Sequence, residues 1–306
     1  MAKQPLPQAS TPSKILQLRP NRFGTEAPEA AVSLFGALSS LPRSPFFDRI
    51  LGKNHTITLE IVTINQAIYF FATLPDFFKT FFESQLLSHY PTIQIAEVDD
   101  YLPQFMSQPN LICGQMRLVA PFYYPLKTIR EFGDVDPLSI ILGVMSKLQP
   151  GESLLIQMTL SAAPRNWQAQ GRKIIAKGIP GPEKGTYISH PQSSLIQTKI
   201  DSNGLLLSIK LAAYANDINQ ARTLLYNLGG SYGAFTTGEG NGLRLSLPNL
   251  FITTKFQESI SRRSIKYSPR NQIFSDEELA TIWHIPGEKL AGIKNIAWGK
   301  RQKGDP

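Results

Sequence analysis

Apolar residues recur along this chain in two spacings, which predict short strands alternating with amphipathic helices. Between residues 56 and 72, β-branched and aromatic residues are interrupted by Asn65 and Gln66, a pattern that predicts two strands and a tight turn. Pro75 then opens a segment with helical spacing that ends at Tyr90 and Pro91. Its apolar residues are Phe77, Phe78, Phe81, Phe82, Leu86 and Leu87. The pattern therefore predicts a hairpin followed by one helix.

The same alternation continues through the rest of the chain. Strands are predicted at 92–98, 110–120, 122–128 and 153–162, and a helix at 138–148 begins after Asp136 and Pro137. A short helix is predicted at 29–40, and a later one runs from Asn216 to Gly229 and Gly230. Because hairpins alternate with single helices, we expect an α+β fold of tandem ferredoxin-like modules, with helices packed on largely antiparallel sheets.

Composition shifts divide the chain into four predicted parts. Residues 1–28 are rich in Pro, Ser and Gln and are predicted to be a flexible arm. Residues 29–163 form a first α+β module with a leading helix, 164–250 a second module, and 251–306 a docking helix with a basic linker or tail. The strand at 154–162 can be aligned with that at 205–213, which leaves open an internal duplication or two unrelated apolar strands.

Charge and cysteine content limit the classes of function. Lys and Arg number 31 against 23 Asp and Glu, a net charge of +8, and 42% of residues are hydrophobic. This composition excludes collagen-like, coiled-coil and disordered chains. The single cysteine, Cys113, excludes an internal disulfide and fits a reducing compartment. No signal peptide or apolar stretch of membrane-spanning length is present, so we expect a cytoplasmic protein, at the membrane only indirectly through partners.

No segment carries a recognisable catalytic motif. The glycine-rich run at 238–242 lacks the Lys-Ser/Thr pair of a phosphate-binding loop and is predicted to be a turn. The GxSxG match at 229–233 follows a predicted helix, whereas a nucleophile elbow must precede one. The four histidines lie far apart. We therefore expect no catalytic residue, no cofactor, no metal and no enzyme activity.

The C-terminal region carries the most specific local signal. Ser275 and Glu278 have the spacing of a capping box, in which each side chain accepts a hydrogen bond from the other residue's backbone N–H. The helix that they begin presents Leu279, Ile282 and Trp283 for docking on a neighbour. Beyond it lie four basic residues, predicted either as a solvated linker or as contacts to phosphate or an acidic partner: Lys294, Lys300, Arg301 and Lys303.

Three stretches resemble the region that precedes the motor domain in conjugative type IV secretion coupling-protein-like ATPases (TraG/TraD-like). They are 59–98 with its turn at 85–91, 150–167, and the capped helix at 274–286. The resemblance implies a cytoplasmic body near a membrane channel, self-association around a ring, and a P-loop ATPase motor as partner. The motor's nucleotide-binding residues have no counterpart in this sequence.

The resemblance makes a non-catalytic accessory domain of a DNA-translocation ATPase the leading expectation, with self-association and weak, non-specific DNA contact. An alternative from another class is a stand-alone nucleic-acid-binding protein. Its stacking platforms would be the aromatic residues Phe70, Phe71, Phe122, Tyr123 and Tyr124. A third hypothesis is an enzyme without a recognisable motif.

Overall fold

A computed structural model describes residues 13–42, 55–183, 185–269 and 271–300. The strands of this part are β1 (Ser13–Arg19), β2 (Ile57–Ile64), β3 (Ala67–Pro75), β4 (Gln94–Glu97), β5 (Ile112–Leu118), β6 (Ser153–Ala162), β7 (Ile179–Pro180), β8 (Tyr187–Ile188), β9 (Gly204–Tyr214), β10 (Leu243–Ser246) and β11 (Ile273–Ser275). The helices are α1 (Ala30–Leu38), α2 (Lys79–His89), α3 (Leu102–Met106), α4 (Leu138–Met145), α5 (Trp167–Lys177), α6 (Ser193–Asp201), α7 (Ile218–Ser231), α8 (Thr253–Ser261) and α9 (Asp276–Ile282).

One antiparallel sheet organises the protein. Its strands follow the order β10-β5-β9-β6-β2-β3-β1-β4, and β11 adds to the start of β9. The strands β7 and β8 form a separate hairpin. Helices and antiparallel strands are thus combined in one body, which confirms the α+β class. Among the described residues, no helix combines the length and hydropathy needed to cross a bilayer.

The strand order reveals a structural repeat. The first unit runs β1-α1-β2-β3-α2-β4 and arranges its strands as β4-β1-β3-β2. The second unit runs β5-α4-β6, then β9-α7-β10, and arranges them as β10-β5-β9-β6. Each unit therefore places its fourth strand beside its first and its third beside its second. The units meet where β2 pairs with β6, so the two sheets are continuous.

The repeat divides the chain differently from the sequence prediction. The border lies between residues 97 and 112, and β5, which the prediction placed in the first module, lies between β9 and β10. The two aligned strands, 154–162 and 205–213, lie in β6 and β9, which are paired neighbours inside one unit. They look alike in sequence because both are buried almost throughout and so read as apolar runs.

The predicted flexible arm needs correction in its second half. Residues Ser13–Arg19 form β1, which pairs with both β3 and β4. Leu16 and Leu18 are buried in the main core, and this burial offsets the entropy lost by ordering the strand. Residues 1–12 lie outside the described part.

The main core lies between the sheet and the helices on one face. Alternate residues of β2, such as Ile57, Leu59 and Ile61, point into it. The predicted docking residues, Leu279 and Ile282 of α9 and Trp283 directly after it, are buried in this core, and the Trp283 ring meets Phe35 of α1 edge-on at 5.9 Å. The helix therefore docks within its own chain. Its capping box, Ser275 with Glu278, is confirmed.

Candidate ligand-binding groove

The basic C-terminal segment is bound along the first unit. Ile68 donates its backbone N–H to Asn295 O at 2.8 Å, Ala297 N donates to Ile68 O at 2.8 Å, and Ile296 is buried. Lys294 and Lys300 are exposed on this segment, while Arg301 and Lys303 lie outside the described residues. The part of the predicted linker that is described is thus held on β3 by backbone hydrogen bonds rather than free.

The predicted stacking aromatics do not form a surface. Phe70, Phe71 and Phe122 are buried, and Tyr123 and Tyr124 are only partly exposed. Phe70 and Phe71 point to opposite faces of β3 because neighbouring residues alternate along a strand. These side chains serve packing and present no continuous platform for bases.

A groove of about 480 Å³ lies at the junction of the two units. One wall is the linker between them, residues 98–111 with α3, and the other is built by the ends of β2 and β9 and the loop before β6. The lining residues are Ile64, Asn65, Tyr101, Gln104, Phe105, Gln108, Pro109, Asn110, Gly151, Tyr214, Ala215 and Asn216. Its volume falls in the range of about 300 to 1,000 Å³ that is usual for small-molecule sites.

The lining combines aromatic rings with neutral amides and contains no charged side chain. Phe105 meets Tyr214 edge to face at a centroid distance of 5.1 Å. Asn110 donates its Nδ2 to Asn216 O at 2.8 Å, which ties the linker wall to the opposite wall. Gly151 adopts φ +86°, and a methyl group there would lie 2.8 Å from Asn216 Oδ1, so only glycine fits this position.

Behind Tyr101 lies a buried network of charges. The Arg263 Nε donates to both carboxylate oxygens of Glu60 at 3.1 Å, and its two terminal nitrogens donate to Asp100 at 2.7 and 2.8 Å. Gln157 Nε2 donates to Glu60 at 2.9 Å. Burial raises the pKa of Glu60 against the opposing charge of Arg263. Burial would also raise the pKa of Asp100, but the hydrogen bonds and charge of Arg263 outweigh burial, so the pKa of Asp100 is lowered. The network fixes the start of the linker wall to the sheet.

A second buried cation lies beside the first on the same sheet face. Lys210 donates to Ser259 Oγ at 2.7 Å and to the Ser264 carbonyl, so it holds the end of α8. It forms no ion pair with any described residue, and burial lowers its pKa to about 7. Burial raises the pKa of the Cys113 thiol to about 12, and the charge of Lys210 opposes that shift. Lys210 lies outside the lining of the groove.

The histidines do not assemble a metal site. Within the described ranges, no three His, Cys, Asp or Glu side chains are placed to hold an ion. His284 is buried, with Nε2 at 3.0 Å from Asp136 Oδ1 and Nδ1 at 2.9 Å from Ala280 O. Both ring nitrogens thus face protein acceptors, and none is directed to a ligand.

Sequence reasoning missed the groove because its residues come from segments far apart in the chain. Tyr101 and Tyr214 are separated by more than a hundred residues, and they line the same groove only because β5, β9 and α3 converge at one end of the sheet. One signal was present in the sequence. Glu60, Gln157 and Lys210 interrupt otherwise apolar strands, and cross-strand pairing brings the three side by side on the second face. Buried polar residues of this kind mark a face that packs around specific partners.

Comparison with known proteins gives one family and several distant structures. A family model described as "Domain of unknown function (DUF8128)" matches residues 2–298. No curated protein matches the sequence. Similar solved structures include a chitooligosaccharide oxidase, at 12% identity and a TM-score of 0.38, with 87% of this chain and 55% of that chain covered. Another is CrmK, a flavoenzyme of caerulomycin biosynthesis, at 11% identity and a TM-score of 0.35, with 94% and 54% covered.

A third similar structure is 6-hydroxy-D-nicotine oxidase from Arthrobacter nicotinovorans, at 11% identity and a TM-score of 0.34, with 87% of this chain and 54% of that chain covered. The chain therefore spans about half the length of these structures, at 54% to 55%. TM-scores of 0.34 to 0.38 establish no common fold, so no cofactor or reaction is transferred to this chain.

These matches correct two expectations. The three solved structures are two oxidases and a flavoenzyme, all catalytic proteins, and none is a secretion ATPase region. On this finding, the expected non-catalytic accessory domain of a type IV secretion ATPase and the expected lack of enzyme activity are withdrawn and not carried further, and the similar structures assign no activity to this chain. None of the three comparisons tests the resemblance to the TraG/TraD-like region or the expected partners, which stay predictions.

Proposed function

Since the chain belongs to the DUF8128 family, whose description assigns no activity, we propose from the geometry that it binds a small ligand in the groove between its two units. The ligand we propose is a neutral ring compound that carries several hydroxyl groups, as sugars and nucleosides do. The observation that carries the proposal is the lining itself, in which aromatic rings and side-chain amides converge without any charge.

Each part of the lining matches one part of such a ligand. The faces of aromatic rings carry partial negative charge and attract the polarised C–H groups or the flat face of a ring compound. Side-chain amides both donate and accept hydrogen bonds, so they suit hydroxyl groups that do the same. A charged ligand would lose its hydration in the groove without gaining a partner of opposite charge there.

The position of the groove supports the same proposal. Ligand sites occur preferentially at the junctions between domains, where concave surfaces form. We further propose that each unit is a ferredoxin-like module, supported by its strand-helix-strand-strand-helix-strand order and by its strand arrangement. On this interpretation the chain is a pair of modules fused through β2 and β6, and the groove is specific to the fused pair.

The experiment is saturation-transfer NMR with a panel of neutral monosaccharides, disaccharides and nucleosides, set against uronic acids and nucleotides. We expect ring protons of at least one neutral compound to receive transfer, and the charged relatives to receive less. Tyr214→Ala should abolish the transfer. The matched control is Tyr226→Ala, which removes a tyrosine that is 51% exposed on α7, away from the groove.

Thermal melts first confirm that both variants are folded, and the saturation transfer in the two variants is then compared. Transfer that disappears in Tyr214→Ala and persists in Tyr226→Ala supports the site. Equal transfer in both variants, or no transfer to any neutral compound, overturns the proposal. Stronger transfer to the charged relatives overturns the assignment of ligand class.

A further inference from the structure

Two adjacent apolar side chains stand almost fully in solvent. Leu250 and Phe251 are 92% and 95% exposed, in the turn between β10 and α8. The turn is fixed, because Asn249 Oδ1 accepts a hydrogen bond from Ile252 N at 3.1 Å and Thr253 Oγ1 donates to Asn249 O at 3.0 Å. Leu247, also exposed, lies just before it. A rigid turn that presents apolar side chains to water indicates a contact surface.

The basic surplus of the chain is concentrated in the sequence segment that contains this turn. Residues 240–275 contain six Lys and Arg residues but a single acidic residue, Glu258. Within that segment Arg263 is buried in its carboxylate network, and Arg262 pairs with Glu258. Arg244, Lys255 and Lys266 are exposed and form no ion pair with a described residue.

One further basic residue strengthens this charge. Arg244 on β10 is directly opposite Arg117 on β5, and both are exposed. Like charges directly opposite each other destabilise a sheet. A partner of negative charge would relieve that repulsion.

From the exposed apolar pair and the unpaired basic residues, we propose that the turn at Leu250 and Phe251 inserts into the interfacial region of a membrane that contains anionic lipid. Interfacial binding combines buried apolar area with attraction between basic residues and lipid headgroups. Lys255 lies in the first turn of α8, four residues after Phe251.

A bilayer fits these features better than other partners do. A stable protein interface needs about 800 Å² on each partner, whereas here the apolar contact is confined to one turn. Nucleic acid would use Phe251 for stacking, but Leu250 offers no aromatic face to a base. A lipid interface accepts both side chains without shape complementarity.

The test is co-sedimentation with vesicles of phosphatidylcholine containing phosphatidylserine, against vesicles of phosphatidylcholine alone. We expect the wild type to bind the anionic vesicles. The Leu250→Ser/Phe251→Ser variant should partition onto them at least about tenfold less, because burying one large apolar side chain is worth about a factor of ten in partitioning. The matched control is Leu87→Ser/Tyr226→Ser, which removes two apolar side chains exposed at 44% and 51% elsewhere. The Arg244→Gln/Lys255→Gln variant should lose the preference for phosphatidylserine.

Insertion is read out directly by a fluorophore. Because Cys113 is buried, Phe251→Cys can be labelled selectively with an environment-sensitive dye, and Tyr226→Cys serves as the labelled control. The dye at position 251 should shift to shorter wavelength with anionic vesicles, and that at 226 should not. Equal binding of the serine variant and the wild type overturns the proposal. So does binding to DNA but not to vesicles, when that DNA binding is lost in the serine variant.

Discussion

The Lys199 ammonium lies 2.8 Å from a carboxylate oxygen of Glu278, and both side chains are fully enclosed. Glu278 also accepts hydrogen bonds from Ser275 N at 2.8 Å and from Leu126 N at 2.6 Å. One carboxylate thus joins α6, the start of α9 and the loop at residue 126. Burial lowers the pKa of Lys199, and the charge of Glu278 opposes that shift. The capping box predicted from the sequence is therefore also half of a buried ion pair.

Removing the carboxylate should be far more costly than removing the pair. Glu278→Ala leaves Lys199 enclosed without its counter-charge, and breaking such a pair costs about 3 to 5 kcal/mol of unfolding free energy. Lys199→Met/Glu278→Gln leaves no buried charge and should cost less than the single variant. Urea unfolding measures both. Glu277→Gln, whose partner Arg130 is mostly exposed, is the control and should cost about 0.5 kcal/mol or less. A double variant less stable than Glu278→Ala would contradict the explanation.

Ser275 tests the cap separately from the ion pair. Its Oγ accepts a hydrogen bond from Glu278 N at 3.3 Å. Ser275→Ala should therefore cost about 1 kcal/mol, with faster hydrogen exchange in α9. Unchanged exchange across 276–282 would show that the cap does not stabilise this helix.

Lys210 gives the protein a stability that increases with pH. Burial lowers its folded-state pKa from 10.5 to about 7, so between these values the unfolded chain binds more protons than the folded one. The penalty is complete below pH 7 and is relieved as pH rises towards 10.5, by at most about 1.4 kcal/mol per pH unit. Chemical denaturation across this range should show the gain in the wild type.

Lys210→Met is the matched variant for that experiment. It keeps the side-chain length but cannot titrate, so its unfolding free energy relative to the wild type should fall as pH rises. A difference between the two proteins that does not change with pH would mean that Lys210 stays protonated in the folded state.

The only cysteine should be unreactive until the protein unfolds. Cys113 is buried, and burial raises the pKa of its thiol to about 12, so little thiolate exists at neutral pH. Labelling by a thiol reagent should be slower by at least on the order of a hundredfold in the native protein than in urea. Rapid native labelling would show that α8 and the loop after it open easily over β5.

The sequence predicted turns and caps better than distant contacts, for physical reasons, whereas the strand predicted at 122–128 is a turn and loop. The turn at Asn65 and Gln66 and the capping box at Ser275 depend on neighbours in the chain, and both are found, the turn with φ of 50° and 64°. The β1 strand was missed because its order comes from pairing with β3 and β4 rather than from its composition. The border between the two repeated units was not predicted, because strands buried on both faces are apolar throughout and do not indicate which strands they pair with.

The candidate groove was beyond prediction for a related reason. Its aromatic walls come from the linker and from the end of β9, and each tyrosine alone is an unremarkable strand or helix-end residue. Glu60, with Gln157 and Lys210, indicated that the second face of the sheet is unusual, because a carboxylate in an apolar strand needs a partner. The sequence could not show that the partner is Arg263, two hundred residues away.

That partnership gives the last prediction, a stronger loss of stability with rising pH when Arg263 is removed. In Arg263→Met, Glu60 keeps its burial but loses the cation that lowers its pKa, so its folded-state pKa should rise further above 4.5. The folded protein then holds a proton that the unfolded chain releases, and stability should fall as pH rises from 4.5 through the folded-state value. Wild-type protein should lose less over the same range. Glu60→Gln/Arg263→Met, which has no carboxyl to titrate at this position, should lose the added pH dependence. If the single and double variants show the same pH profile, Glu60 is not the group whose pKa Arg263 lowers.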